Sequence, residues 1–217
     1  MLEDGPLAYT SRVPSRNILK QYAADHYYHV YSRGVAKQVI FLDEQDYLFF
    51  ISLFKRYLSN EPSASPARVP YPWYGQRIDL LAYCLMPNHI HLLFYQRDEK
   101  AITELMRSMM TSYSMYFNRR YKRVGPVFQS RYLASLIDQD SYLQHISRYI
   151  HLNPKEWQSY GYSSLGYYLK SRTAEWIKPQ PMLDLFENNS GQYLSFLKDY
   201  ESHKQMLEEI KWELAHE

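Results

Sequence analysis

The fold and the candidate chemistry of this chain centre on the stretch Met86-Pro87-Asn88-His89-Ile90-His91-Leu92-Leu93-Phe94. A Pro-Asn pair interrupts an apolar run, and two histidines follow it one residue apart. If residues 88–96 form a strand, its period of two places His89 and His91 on one face, expected to be open, and Ile90 in a core. Two imidazoles about 7 Å apart along a strand can bind one divalent cation. Two ordinary histidines on a half-exposed sheet produce the same pattern, so the motif needs support from elsewhere.

Composition limits the class of protein. The chain has 217 residues, 46% of them hydrophobic, which suffices for one large domain or one domain with an appendage. Its longest apolar run, residues 47–54 with one serine inside, is too short to cross a bilayer, and the N-terminus lacks the apolar core of a signal peptide. The single cysteine, Cys84, excludes an intrachain disulfide and a cysteine-rich zinc site. A cytoplasmic protein without a membrane partner is therefore predicted.

Charge is distributed unevenly along the chain. The net charge is only +2, so the molecule as a whole is not a general binder of polyanions. Residues 101–153 contain 7 basic and 3 acidic side chains, whereas residues 154–217 contain 7 basic and 10 acidic ones. A local basic surface is therefore predicted on the middle segment.

Periodicity predicts strands and helices in a definite order. The predicted strands are residues 27–32, 78–85, 88–96 and 132–137. The predicted helices are residues 43–58, capped by Asp43, residues 99–121, and a last helix that Asp138 or Asp140 caps and that ends near Leu152. This order predicts an α+β, ferredoxin-like fold, a split β-α-β-β-α-β antiparallel sheet with helices on one face, plus an added tyrosine-bearing helix.

Three segments differ in character along the chain. Residues 1–25 are predicted to be an N-terminal arm, and residues 26–154 contain the predicted sheet with its helices. Residues 155–217 are interpreted as a partly helical appendage rather than a second core, with a last helix over about residues 193–214. Residues 59–77 contain four prolines and few apolar side chains, which predicts an extended loop.

Cations alternate with aromatic and amide side chains over residues 117–132. Such interleaving suits a phosphate track beside unstacked bases, although a solvated helix end with basic residues produces it too. The predicted contacts with nucleic acid are Arg119, Arg120, Lys122, Arg123, Gln129 and Arg131, together with Arg148 on the last helix.

The last predicted helix ends with Arg148-Tyr149-Ile150-His151-Leu152-Asn153-Pro154. Tyr149 and Asn153 are four residues apart, so a helix places both on the same face. A tyrosine flanked by isoleucines is also typical of simple core packing. Among the other tyrosines, Tyr116 on the long helix is the main competitor for any chemical role.

Four blocks of this sequence resemble the single-tyrosine transposases of the HUH endonuclease superfamily, and most closely the REP-associated tyrosine transposases. The blocks are Tyr83-Cys84-Leu85-Met86-Pro87-Asn88-His89-Ile90-His91-Leu92-Leu93, Phe117-Asn118-Arg119-Arg120, Val127-Phe128-Gln129-Ser130-Arg131-Tyr132 and Arg148-Tyr149-Ile150-His151-Leu152-Asn153-Pro154. The resemblance implies a metal-dependent nuclease that cuts single-stranded DNA, including hairpin-forming repeats, through a covalent 5′-phosphotyrosine. It implies Tyr149 as the nucleophile and His89, His91 and Asn153 as metal ligands, where many relatives have Gln or Glu in place of Asn153.

The residue types agree with this chemistry. A cation such as Mg²⁺ or Mn²⁺ neutralises charge on the non-bridging oxygens of a phosphodiester. A phosphotyrosine bond can be reversed by a 3′-hydroxyl, which favours strand transfer over hydrolysis. Two other functions fit the same residues: a catalytically inactive protein that binds DNA hairpins, and a phosphoesterase with a water nucleophile in which Tyr149 only packs. In a bacterial cell, the expected location is the cytoplasm, in association with the nucleoid. Whether the chain acts as a monomer or a homodimer stays open.

Overall fold

The computed structural model describes residues 22–199 of the chain. Within them, a four-stranded antiparallel sheet has the strand order β2-β3-β1-β4. The strands are β1 (His26–Arg33), β2 (Ile78–Met86), β3 (His89–Gln96) and β4 (Leu133–Ile137). The helices are α1 (Glu44–Leu58), α2 (Ala101–Arg120), α3 (Asp140–Leu152), α4 (Leu165–Tyr168), α5 (Gln180–Asp184) and α6 (Ser190–Lys198), with a 3-10 turn at Val35–Lys37. The order is that of a split β-α-β-β-α-β sheet, so the predicted fold class is confirmed.

The histidine strand is fixed in the sheet by a two-residue turn and by its neighbour β1. Met86 pairs with His89, so Pro87 and Asn88 alone connect β2 to β3. On the other side of β3, Tyr31 of β1 pairs with His91. Because directly paired residues point to the same side of a sheet, alternate residues of β1 share the face of the two histidines.

One face of the sheet packs against α1 and α2, which are the two helices of the split arrangement. Asp43 caps α1 as predicted, since its side chain accepts a hydrogen bond from the N–H of Asp46 at 3.3 Å. The side chains buried between this face and the two helices include Val30, Leu92, Phe94, Phe50, Phe54 and Tyr113. The prediction of helices on one face therefore holds for α1 and α2, whereas the added helix α3 lies on the other face.

The second face of the sheet is covered by α3 together with residues that follow it. The predicted cap of α3 by Asp138 or Asp140 is wrong, because Gln139 occupies the N-cap without a side-chain cap bond. Asp140 instead lies in the first turn of the helix, where a negative charge complements the helix dipole.

Part of the segment that was interpreted as an appendage contributes to a second apolar cluster. This cluster joins α3 and the second sheet face to side chains of the short helices, among them Leu165, Tyr168, Met182, Leu183 and Tyr193. Helices of four, five and nine residues show too few turns for a clear periodicity. The predicted last helix corresponds to α6 only as far as Lys198, and its remainder, like residues 1–21 of the predicted arm, lies outside the described residues. None of the helices in residues 22–199 has the length and apolar character needed to span a membrane.

Candidate active site

The register of the sheet collects polar side chains on the face that α3 covers. His89 and His91 of β3 lie directly opposite Arg33 and Tyr31 of β1, and His29 lies two residues before Tyr31 on the same face. The ring of Tyr31 lies 4.9 Å from that of His91, and the ring of His29 lies 5.2 Å from it, measured between centroids. The two predicted histidines thus belong to a larger polar cluster on this face.

The end of α3 brings the other two predicted site residues to this cluster. Asn153 is the C-cap residue of α3 and keeps a helical conformation, so it follows Tyr149 by about one turn on the same side. Its Oδ1 lies 3.1 Å from Nε2 of His89, and its Nδ2 lies 3.5 Å from Nε2 of His91. The three predicted metal ligands therefore meet at one point.

A neighbouring amide fixes the tautomer of His89. The Nδ2 group of Asn88 donates a hydrogen bond to the carbonyl of Lys37 at 3.2 Å, which leaves Oδ1 of Asn88 facing Nδ1 of His89 at 2.6 Å. Since an amide oxygen only accepts, Nδ1 of His89 carries the proton and donates it. The Nε2 atom of His89 is then unprotonated, with its lone pair directed at Asn153.

The donor set fits a divalent cation. The lone pair of His89 Nε2 and the Oδ1 of Asn153 face each other at 3.1 Å, and two acceptors at that distance repel unless a cation lies between them or the amide is reversed. Adjacent ligands of an octahedral ion bound at about 2.1 Å are also roughly 3 Å apart. Among the described residues no group of three or more His, Cys, Asp or Glu side chains suits a metal ion, and the third candidate donor here, Asn153, is an amide.

Burial keeps both candidate ligands neutral. It lowers the pKa of His89 to about 4, and it holds the pKa of His91 well below its usual range, with further lowering from His89, His29 and Arg33. A neutral imidazole is the form that binds a cation. The expectation of an open face is wrong, however, because α3 packs over it and leaves His91 only 1% exposed.

Tyr149 lies against the ligand cluster in an enclosed position. Its ring meets the ring of His91 edge-on at 5.1 Å, and its side chain is 6% exposed. Burial raises the pKa of Tyr149, whereas a hydrogen bond with Asn153 and the charge of Arg33 act to lower it. The predicted nucleophile and predicted ligands are therefore in one site, and the phenol is protonated there at neutral pH.

Tyr116, the competing nucleophile, lies far from this cluster in the fold. Its hydroxyl donates to the carboxylate of Asp46 at 3.0 Å, and its ring stacks on Phe49 at 3.8 Å between centroids. Both partners belong to α1, which covers the opposite face of the sheet. Tyr116 is therefore separated from the histidines by the sheet itself.

His29, Tyr31 and Arg33 are site residues that sequence reasoning missed. Their signal is present as the same period of two, because they occupy alternate positions of one strand. Arg33 is half-buried, and its Nε atom has no hydrogen-bond partner among the described residues. A cationic group beside the ligand cluster with an unused donor is suited to a phosphate oxygen.

The predicted DNA contacts divide into two groups. Four of them are exposed or partly exposed at the end of α2 and in the loop that follows it: Arg119, Lys122, Gln129 and Arg131. The backbone N–H of Gln129 donates to the carbonyl of Arg33 at 2.9 Å, which places this loop beside the candidate site. Arg123, which is half-buried, donates to Gln38 at 3.3 Å and lies over the ring of Phe117.

Arg120 and Arg148 are engaged within the protein. The guanidinium of Arg120 forms ion pairs with Asp43 at 2.6 Å and with the fully buried Asp46 at 2.8 Å. Arg148 is fully buried and stacks on Phe196 at 3.5 Å from the ring centroid. Successive helical residues point about 100° apart, so α3 directs Arg148 toward α6 when Tyr149 faces the sheet. The guanidinium of Arg148 is therefore enclosed by the protein, whereas that of Arg120 is paired with two carboxylates and partly exposed.

Comparison with known proteins finds a family that matches the segment containing the candidate site. Residues 74–153 match the family described as "Transposase IS200 like". No curated protein matches the chain. Among solved structures, a REP-associated tyrosine transposase bound to a REP hairpin is similar, with 14% sequence identity, a TM-score of 0.49, and coverage of 72% of this chain and 88% of that chain. The resemblance to the single-tyrosine transposases is therefore confirmed over residues 74–153, the segment that holds both histidines, Tyr149 and Asn153.

Proposed function

We propose that this chain is a metal-dependent endonuclease and strand transferase that acts on single-stranded DNA, in particular on hairpin-forming repeats, through a covalent 5′-phosphotyrosine. The observation that carries the proposal is the convergence of Tyr149, His89, His91 and Asn153 on one sheet face. The match to the IS200-like family supports a transposase-like function on DNA. The same resemblance supports action on bacterial DNA in the cytoplasm.

The reaction is a transfer of the phosphoryl group to a phenol. The Oη of Tyr149 loses its proton and attacks the scissile phosphorus, and the bond from phosphorus to the 3′-oxygen breaks. The 3′-oxygen takes up one proton and leaves as a hydroxyl, so the number of protons is unchanged. A Mg²⁺ or Mn²⁺ ion bound by His89, His91 and Asn153 would supply positive charge to the non-bridging phosphate oxygens. The reverse attack by a 3′-hydroxyl on the phosphotyrosine rejoins a strand, which completes strand transfer.

Residues of the chain have further roles in this step. Arg33 supplies a fixed positive charge beside the site, which stabilises the negative charge of the phosphate and acts to lower the pKa of Tyr149. His89, Asn153 and Arg33 are each half-buried, whereas His91 and Tyr149 are buried. The phosphate therefore approaches from the side of Arg33 and His89, next to the loop that contains Gln129 and Arg131.

A second candidate function is a catalytically inactive DNA-hairpin-binding protein on the same fold. The burial of Tyr149, with a side chain only 6% exposed, favours this alternative, because a nucleophile must reach its phosphate. In such a protein the histidine cluster would be part of the packing between α3 and the sheet, and the basic surface alone would bind the nucleic acid.

A denaturing gel with a labelled single-stranded hairpin oligonucleotide and Mn²⁺ separates these functions. The proposal predicts a labelled species of the protein's mass that survives denaturation and requires the metal. Cleavage that depends on the metal but leaves no adduct would instead identify a phosphoesterase with a water nucleophile. Binding with neither cleavage nor adduct would identify the inactive reader.

Arg119 and Arg120 are neighbours in sequence, but their substitution is expected to affect different properties: DNA binding for Arg119 and stability for Arg120. Arg119→Ala should weaken binding of all sequences and lower the slope of log affinity against log salt by about 1, because one phosphate contact is lost. Arg120→Ala should lower the thermal unfolding midpoint, since the buried carboxylate of Asp46 loses its cation. Fluorescence anisotropy at several salt concentrations and thermal unfolding of both variants measure the two effects. If Arg120→Ala is as stable as wild type but binds DNA more weakly, Arg120 contacts DNA rather than stabilising the fold.

A further inference from the structure

His29 contacts a proposed metal ligand from the side opposite to the proposed metal. It is 3% exposed, and its Nε2 lies 3.1 Å from Nδ1 of His91. The two ring planes are nearly parallel, with an angle of 16° between them and 5.2 Å between the ring centroids. His29 belongs to none of the sequence blocks that carry the family resemblance, and it lies outside the segment that matches the family.

The hydrogen bond between these rings determines which nitrogen of His91 is free. In a neutral pair one ring donates and the other accepts. If Nδ1 of His91 donates to His29, then Nε2 of His91 keeps its lone pair and can bind a cation. If Nε2 of His29 donates instead, the proton of His91 lies on Nε2, and that atom is closed to a cation.

Two contacts favour the first arrangement. In the orientation of Asn153 that offers its Oδ1 as a metal ligand, its Nδ2 group is a donor 3.5 Å from Nε2 of His91, where it requires a lone pair rather than a second N–H. The other histidine of the strand shows the same pattern, because Asn88 accepts from Nδ1 of His89. In the first arrangement, each candidate ligand would have one acceptor at its Nδ1 atom.

We propose that His29 is a positioning residue, whose Nε2 accepts the Nδ1–H of His91 and thereby directs the Nε2 lone pair of His91 at the metal. Hydrogen-bond partners behind a ligating histidine fix its tautomer and ring orientation, and their loss typically lowers metal affinity about 10- to 100-fold. The inference rests on the proposed function for the role of His91 as a ligand, whereas the tautomer is a property of the metal-free protein.

His29→Phe tests the proposal, because phenylalanine keeps a flat ring against His91 and removes the acceptor. Two measurements are needed: the tautomer of His91, from long-range ¹H–¹⁵N correlation spectra of metal-free protein labelled at histidine, and Mn²⁺ affinity, from electron paramagnetic resonance. Wild type should show the proton on Nδ1 of His91. His29→Phe should move a measurable part of it to Nε2 and weaken Mn²⁺ binding about 10- to 100-fold.

Two further variants separate positioning from general damage. His29→Gln offers an amide oxygen as acceptor and should restore most of the Mn²⁺ affinity. His26→Phe, the same substitution three residues earlier on β1 and on the opposite face, should change neither measurement.

Several results would overturn the proposal. They are a proton on Nε2 of His91 in the wild type, an unchanged tautomer in His29→Phe, or unchanged Mn²⁺ affinity in folded His29→Phe. The wild-type tautomer decides the matter even where His29→Phe does not fold. A wild type that binds no Mn²⁺ would contradict the proposed function. The spectra of the metal-free protein would still test whether His29 sets the tautomer of His91.

Discussion

Tyr149→Phe is expected to abolish the covalent protein–DNA adduct while the protein keeps its affinity for hairpin DNA. The substitution removes only the hydroxyl, so the ring remains edge-on against His91 and the contact between α3 and the sheet is preserved. Loss of a nucleophile removes the covalent step altogether, and a fall in adduct formation on the order of 10³-fold or more is expected. A denaturing gel with labelled hairpin and Mn²⁺ measures the adduct, and anisotropy measures the binding.

Tyr116→Phe is the matched control for this prediction. Tyr116 also carries a hydrogen-bonded hydroxyl on a helix, but its partner is Asp46 on the opposite side of the sheet. This variant should form the adduct at the wild-type level. Peptide mapping of the wild-type adduct should place the nucleotide on Tyr149. An adduct that persists in Tyr149→Phe, or that maps to Tyr116, would refute the assignment of the nucleophile.

The elements that sequence predicted well are those whose signals are local. The period of two in β3 and the Pro87-Asn88 break predict a strand, a tight turn and the shared face of the two histidines without knowledge of any partner. The spacing of four between Tyr149 and Asn153 is likewise a property of one helix. These local patterns define both the strand order along the chain and the four central candidate residues.

The site residues that sequence missed depend on pairing between distant strands. Nothing in β1 alone shows that Tyr31 will lie opposite His91, because register is decided by the complete sheet. The contact between His29 and His91 joins residues 62 positions apart. Such contacts are visible only after the fold is assembled.

The charge pattern of the sequence does not show which cations have partners within the fold. Arg120 looks like part of a basic helix end, yet its partner Asp46 is supplied by α1, 74 residues earlier. Arg148 adjoins the proposed nucleophile in sequence, but neighbouring positions on a helix point in different directions. The basic surface therefore rests on the exposed side chains that remain, among which Gln129 and Arg131 lie in the loop beside the site.

The same burial pattern decides which histidine gives the cleaner test of the metal. His91 is 1% exposed between α3 and the sheet, so His91→Ala would leave a cavity and damage the fold as well as the ligand set. If the face were open, as the sequence predicted, either histidine could be replaced without loss of stability. His89 is half-buried at the start of β3, where truncation leaves more contact with solvent.

His89→Ala is therefore expected to abolish Mn²⁺-dependent cleavage and adduct formation with only a small change in the thermal unfolding midpoint. The variant removes one of three converging donors. In the wild type, the hydrogen bond from His89 Nδ1 to Asn88 leaves the lone pair on His89 Nε2, which faces Asn153. His26→Ala on β1 is the matched control and should behave as wild type in both assays. Activity should be measured with Mn²⁺ and with a chelator, beside a thermal unfolding curve for each protein. Full adduct formation by folded His89→Ala in the presence of chelator would rule out a metal bound by this histidine, and with it the route to phosphate activation proposed for this site.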